Sequence, residues 1–172
     1  MKKILLTTVL LVFAATSAFA FGTSKFKEEV EKEIDAVNLV REVEKGGYNV
    51  ITTAELNDLL KSGEDVLVVD TMPYEASYKK AHVQTAKQFL FPIPDMMEWD
   101  SKETDGKTQD EYIQLLGQDK EKKIVVYCGF VKCTRSHNGA LWAKKLGYKN
   151  VYRYPGGIFA WKGAGYQVET VK

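Results

Sequence analysis

The stretch Lys122-Lys123-Ile124-Val125-Val126-Tyr127-Cys128-Gly129-Phe130-Val131-Lys132-Cys133-Thr134-Arg135-Ser136 decides how the rest of the chain is read. Ile124 to Tyr127 is a short run of β-branched and aromatic residues, the pattern of a strand buried on both faces. Cys128 stands where that run ends. The next residues, Gly129, Phe130, Val131, Lys132, Cys133, Thr134 and Arg135, read as a loop. Ser136 to Leu146 reads as a helix, with Ala140 and Ala143 on one side. In an open α/β sheet, ligands bind beyond the carboxyl ends of the strands. A thiol there, facing a helix N-terminus and the cations Lys132 and Arg135, is expected to have a lowered pKa. Its thiolate would be a nucleophile inside an anion-binding loop.

Working outward, the downstream segment Asn150–Tyr154 reads as the last strand. Pro155-Gly156-Gly157 turns the chain into a short helix, Ile158–Lys162, whose Trp161 is a core residue by pattern. Upstream, Val66–Val69 is another buried strand, closed by Asp70. Asp70 either orients the loop or Arg135, or caps a short helix over Pro73–Ala81. Thr85–Phe91 is read as a further strand. Residues 92–117 are the least regular part, with Met96, Met97 and Trp99 walling a pocket, meeting a partner or forming a small satellite core. Gln109–Leu116 closes that segment as a helix. Tyr48–Ile51 reads as a strand, and Thr52-Thr53-Ala54-Glu55 is a capping box opening a helix to Lys61. Earlier still, Phe26, Val30, Ile34, Val37 and Val40 recur at helical spacing over Ser24–Lys45, and Gly46-Gly47 stops that helix. It suits either an N-terminal strap over the sheet or a partner helix.

The first 20 residues carry a different signal. Lys2-Lys3, an apolar run from Ile4 to Ala15 and the small-x-small Ala18-Phe19-Ala20 make a secretory leader cleaved after Ala20. No cysteine stands at that point, so no lipid anchor is expected there. The organisation read from sequence is a leader over 1–20, a helix and linker over 21–47, and one α/β domain over 48–172. Removing Lys2 and Lys3 takes the formal net charge from +1 to −1, which does not suit a nucleic-acid partner. The lysine-rich start points to a bacterial periplasm. Disulfides persist in that oxidising compartment, and Cys128 and Cys133 are the only two cysteines. A bridge across so short a loop would restrict little of the unfolded chain. Both a reactive pair and a structural disulfide stand as readings. No cofactor is expected, and the spacing of Cys and His does not suit a zinc site, although a transient metal on Cys128, Cys133 and His137 stays open.

Val125-Val126-Tyr127-Cys128, then Arg135-Ser136, Asn150-Val151-Tyr152, Gly156-Gly157-Ile158 and Trp161 resemble the rhodanese (sulfurtransferase) family. Val66 to Asp70, Tyr78 and Ala81-His82-Val83 fit its first half, so the likeness covers about residues 50–167. It implies a three-layer α/β fold with a mostly parallel central sheet. It also implies that Cys128 is the nucleophile and that His82 is structural. Two departures stand out. The family usually has Arg two residues after the Asp, where this chain has Met72. Six residues separate Cys128 from Arg135, against four in sulfur-transferring members and five in relatives acting on phosphate or arsenate. The wider loop puts thiosulfate specificity in question and adds Cys133.

The chemistry expected is attack by Cys128 on the outer sulfur of a small anionic donor, giving a persulfide. Arg135 and Lys132 supply charge, and Gly129, Phe130, Val131, Thr134 and Ser136 line the cradle. Cys133 is placed to resolve that persulfide, releasing sulfide and leaving a disulfide. His137 either assists a thiol or occupies a polar helix face. A thiol acceptor or a periplasmic redox protein would be the partner. The rival readings are a dithiol protein reducing a chalcogen oxyanion or a partner disulfide, and a rhodanese-like binding module without activity. A phosphatase fits less well, since no general acid is evident.

Overall fold

The computed structural model describes residues 2–171, with side chains from Ser24 to Val171. The chain divides into two compact units, 1–38 and 39–172. The first consists of helix α1 (Lys2–Gly46) up to Asn38, where Phe26, Val30, Ile34 and Val37 are exposed. The side chains of the expected leader lie outside the described residues. Among the described residues, no helix is long and apolar enough to cross a membrane.

The second unit begins inside α1, at Leu39, rather than after the Gly-Gly stop. Val43 packs on the core. Gly47, at φ 62°, ends the helix in the left-handed conformation, donating its N–H to the Val43 carbonyl at 2.9 Å.

Five strands form one sheet: β1 (Asn49–Val50), β2 (Val66–Asp70), β4 (Lys87–Gln88), β5 (Lys123–Tyr127) and β6 (Val151–Tyr154). Their order is β1-β6-β5-β2-β4, and every pairing is parallel. Ile124, Val125, Val126 and Tyr127 are all fully buried, as expected of a strand covered on both faces. Alternation sorts the side chains. Val69, Ile124, Val126 and Val151 join one core, with α3 (Gln109–Leu116), α4 (Arg135–Lys145) and the end of α1. Val68, Val125, Tyr127 and Tyr154 join the other, with α2 (Thr53–Lys61) and α5 (Gly157–Gly163). This is the expected three-layer α/β arrangement. Gly139 lets α4 lie close to the sheet, because a Cβ there would come within 2.9 Å of Val126.

Local signals mostly hold. The Thr52/Glu55 capping box forms, and so does a second one, Thr108/Glu111, at the start of α3. Four readings are corrected. The strand read over Thr85–Phe91 pairs as β only at Lys87–Gln88. Thr85 turns at φ 64°, and Pro92 and Pro94 remove the donors that would continue the ladder. The Pro73–Ala81 segment holds only a π-helical turn, Tyr74–Tyr78. Val151–Tyr154 is not the last strand: β7 (Val168–Glu169) pairs antiparallel with β3 (His82–Val83). His82 serves that junction. Its ring stacks on Tyr78, its Nδ1 lies 2.8 Å from the Tyr78 carbonyl, and its Nε2 lies 3.6 Å from Glu169. Met96 and Trp99 form no satellite core. They enter the main one beside Phe89, Phe91 and Tyr112, while Met97 is exposed.

Candidate active site

The loop between β5 and α4 is anchored at both ends. At its start, the N–H groups of Ile158 and Phe159 donate to the carbonyls of Cys128 and Gly129, each at 3.0 Å. That close approach requires Gly157. It sits at φ 59°, and a Cβ there would lie 2.3 Å from the Cys128 carbonyl oxygen. Within the loop, the Cys133 N–H donates to the Phe130 carbonyl at 2.9 Å. At its end, the Thr134 hydroxyl donates to the Ile93 carbonyl. Phe130 and Val131 stand exposed at the rim, with the Phe130 ring 5.4 Å from that of Phe159. Lys132 is exposed on the same loop.

Both cysteines are free thiols, and they sit in one hydrogen-bonded cluster. Cys128 is wholly buried. Its sulfur lies 2.8 Å from the Cys133 carbonyl oxygen, 3.2 Å from Ser136 Oγ and 3.9 Å from the Phe130 carbonyl oxygen. Those carbonyls favour a protonated thiol. Burial pushes the Cys128 pKa well above its ordinary value, the hydrogen bond to Cys133 and that residue's charge add to the rise, and Ser136 opposes it. The expectation of a lowered pKa at Cys128 is therefore corrected. The lowered group is Cys133, at about 6. The hydrogen bond from the Cys128 thiol is the main cause, with the N–H groups of Gly129 and Arg135 and the Arg135 charge helping against burial.

The cation that organises the loop is one that spacing did not single out. Arg153, on β6, is fully buried. Its Nε donates to Ser136 Oγ at 2.9 Å, and its Nη2 donates to the carbonyls of Cys133 and Val131 at 3.2 and 3.3 Å. Its Nη1 pairs with Glu42 of α1 and reaches Tyr48 Oη at 3.5 Å. Burial opposes its charge, and Tyr48 and Glu42 outweigh that opposition. The available signal was Arg153 itself, a charge at an inward position of a buried strand.

The remaining expected residues do different work. Arg135 donates from its guanidinium to the Phe91 carbonyl, so it ties the loop to the end of the segment that follows β4, while its charge still acts on Cys133. Asp70 does not reach Arg135. It accepts the Met72 N–H at 2.8 Å and the Tyr127 hydroxyl at 2.6 Å, and it does not cap the Tyr74–Tyr78 turn, whose N-cap Pro73 has no side-chain cap bond. Burial raises its carboxyl to about 6, with those two hydrogen bonds opposing. His137 is buried with Nδ1 2.7 Å from Tyr48 Oη, and its pKa is lowered chiefly by burial. It is thus engaged with Tyr48 rather than offered to a thiol. Among the described residues, no three His, Cys, Asp or Glu side chains are grouped to hold a metal ion.

A parallel α/β domain with a thiol opening the loop after its central strand is the frame of a rhodanese-type protein. The chain belongs to the Rhodanese-like domain family, whose model matches residues 52–164. A curated relative, the tRNA uridine(34) hydroxylase of Erwinia tasmaniensis, is 33% identical over 114 residues, covering 66% of this chain and 27% of the relative. The chain thus spans about a quarter of that relative's length. Among solved structures, the BH2092 protein of Bacillus halodurans is 27% identical with a TM-score of 0.55, covering 78% of this chain and 86% of that one. The thiosulfate sulfurtransferase of Pseudomonas aeruginosa is 18% identical with a TM-score of 0.56, covering 76% of this chain and 22% of that one, and shares the fold.

Proposed function

We propose that this protein is an exported sulfurtransferase or sulfur carrier that takes sulfur from a small anionic donor as a persulfide on the Cys128/Cys133 loop. The observation that carries this reading is the loop itself: two free, buried thiols on one loop, with the Cys128 sulfur 2.8 Å from the Cys133 carbonyl oxygen and the Cys133 pKa lowered to about 6. Family membership supports sulfur transfer as the kind of chemistry. The fit to the family's nucleophile position supports Cys128 as a sulfur-bearing residue. Export rests on the Lys2-Lys3 start, the apolar run and Ala18-Phe19-Ala20. The partners proposed are the donor and a thiol acceptor or periplasmic redox protein.

The test is intact mass of the reduced protein after thiosulfate and after inorganic polysulfide. A gain of one sulfur, removable by a small thiol, supports the reading. No gain with either donor refutes it. Recovery of the secreted chain beginning at Phe21 would support export, and retention of the first 20 residues would oppose it.

A second reading is favoured by the placing of two free thiols on one short loop. In it, the pair cycles through a disulfide and reduces its substrate, with an electron donor required at each turnover. Loss of two hydrogens with release of sulfide, instead of a sulfur gain, would favour it. Hydroxylation of tRNA is the named activity of a relative much longer than this chain. A formal net charge near zero gives no support for a nucleic-acid partner here.

A further inference from the structure

Sulfur transfer needs Cys128 as an anion twice, first as the attacking thiolate and then as the persulfide. What holds that charge is a separate question, and its answer rests on the sulfur-transfer reading just given. With thiosulfate, the Cys128 proton goes to water and Cys128 Sγ bonds to the outer sulfur. The donor S–S bond breaks, and its electron pair leaves on sulfite. Cys128 is fully buried, and its sulfur faces the carbonyl oxygens of Cys133 and Phe130 at 2.8 and 3.9 Å. A sulfur so placed holds charge poorly unless a donor is aimed at it.

Matching hydrogens to lone pairs identifies the donor. Arg153 Nε donates to Ser136 Oγ at 2.9 Å. A guanidinium has no lone pair, so the Ser136 hydroxyl cannot donate back to it. Two acceptors lie within reach of that hydroxyl: Cys128 Sγ at 3.2 Å and the Cys133 carbonyl oxygen at 3.5 Å. The carbonyl has two lone pairs. One takes the Cys128 thiol at 2.8 Å, and the other takes Arg153 Nη2 at 3.2 Å. The Ser136 hydrogen is therefore left to Cys128 Sγ. Arg153 also competes with the thiol for the Cys133 carbonyl. Both contacts favour the charged sulfur over the protonated one.

The cation is fixed from the far side. Its Nη1 pairs with Glu42 of α1 and reaches Tyr48 Oη at 3.5 Å, and the whole side chain is buried. Other ionisable groups around the loop are engaged elsewhere. Arg135 donates to the Phe91 carbonyl, Asp70 accepts from Met72 and Tyr127, and His137 meets Tyr48 Oη at 2.7 Å. Cys133, on the loop itself, opposes ionisation of Cys128.

We propose that Arg153 is the positioning residue for Cys128, turning the Ser136 hydroxyl onto the Cys128 sulfur and competing with its thiol for the Cys133 carbonyl. Arg153 does not touch the sulfur. It acts through Ser136, and the end of α1 supports it through Glu42.

Two measurements test this on the full chain. The first needs no variant: a pH titration by nuclear magnetic resonance of protein carrying 13C at the cysteine Cβ and 15N at the arginine Nε. The Arg153 Nε–H signal is expected to move with the same midpoint as the Cys128 Cβ signal. An Arg153 signal that ignores the ionisation of Cys128 would overturn the proposal. The second compares Ser136→Ala, Arg153→Lys and the double variant. Each single change is expected to raise the Cys128 midpoint and to slow sulfur gain from thiosulfate at neutral pH about 10–100-fold, the loss of one hydrogen bond to a charged group. Arg153→Lys should add less in the Ser136→Ala background than in wild type. An unmoved Cys128 midpoint in Ser136→Ala, or equal additions from Arg153→Lys in both backgrounds, would overturn it. Ser136→Ala removes only one Arg153 partner, so with the first titration it decides the matter if Arg153→Lys does not fold. If the midpoints move as expected but wild type gains no sulfur from thiosulfate or inorganic polysulfide, the sulfur-transfer reading fails while the role of Arg153 stands.

Discussion

Replacing Arg153 with Met tests how the loop is held. The guanidinium is fully buried and serves five partners at once: Ser136 Oγ, the Val131 and Cys133 carbonyls, the Glu42 carboxylate and Tyr48 Oη. Met fills similar volume without a donor. Glu42 is then left partly buried without its cation, and two loop carbonyls lose their donor. Removing one partner of a buried ion pair costs about 3–5 kcal/mol. With a urea dependence of about 2 kcal/mol per molar, the unfolding midpoint should fall by about 2 M. The damage should also be local. Losing charged hydrogen bonds worth roughly 1.5–3 kcal/mol frees the loop on the order of 10–100-fold more often, and tryptic cleavage after Lys132 should rise by that factor under native conditions. Arg153→Lys keeps the charge but cannot serve all five partners, so it should recover only part of the loss. Glu42→Gln combined with Arg153→Met should cost less than the sum of the two, since each removes the same pair. A midpoint within about 0.5 M of wild type, or strict additivity with Glu42→Gln, would refute the reasoning.

Gly157→Ala forces a side chain into a left-handed position and against the Cys128 carbonyl, and should cost several kcal/mol, on the order of 3, read by thermal unfolding. Tyr127→Phe strips a hydroxyl that accepts the Val83 N–H at 2.9 Å and donates to Asp70 at 2.6 Å; a loss of about 2–3 kcal/mol is expected in urea unfolding, and an unchanged midpoint would sink that account. The Asp70 carboxyl is raised above its unfolded value to about 6, so the folded state binds the extra proton between roughly pH 4 and 6. Its contribution is therefore greatest below that window and is lost as pH rises through it. Comparing wild type with Asp70→Asn at pH 4.5 and 6.5 should show the difference in stability changing by on the order of 2 kcal/mol, with wild type relatively better at the lower pH.

Much of the fold was legible because it is written in local patterns. The run Ile124 to Tyr127 could be only a doubly covered strand, and Thr52 with Glu55 could satisfy helix donors only at a helix start. The boundaries of α3 follow from the same rule at Thr108 and Glu111. Legibility failed where pairing is long-range. Val168–Glu169 has no strong pattern and becomes β7 only because His82–Val83 offers an edge. Phe89 and Phe91 still donate to the Asp70 and Thr71 carbonyls, while their rings enter the aromatic cluster around Tyr112, a long-range packing that the local sequence does not show.

At the site, sequence alone determined where the chemistry sits: a thiol at the end of a buried strand, a glycine-bearing loop and a helix after it. A second thiol within that loop was equally plain. Which of the two thiols ionises more readily was decided only by the tertiary structure. A sulfur's charge depends on which way neighbouring backbone dipoles point, and the Phe130 and Cys133 carbonyls turn toward the Cys128 sulfur. The cation under the loop was decided in the same way. Arg135 is near in sequence and is drawn to the Phe91 carbonyl, whereas Arg153 arrives through the β5–β6 pairing and meets Glu42 from a helix 111 residues away. Spacing along a chain records neighbours within one element, and electrostatic support between elements exists only once the sheet has brought them together.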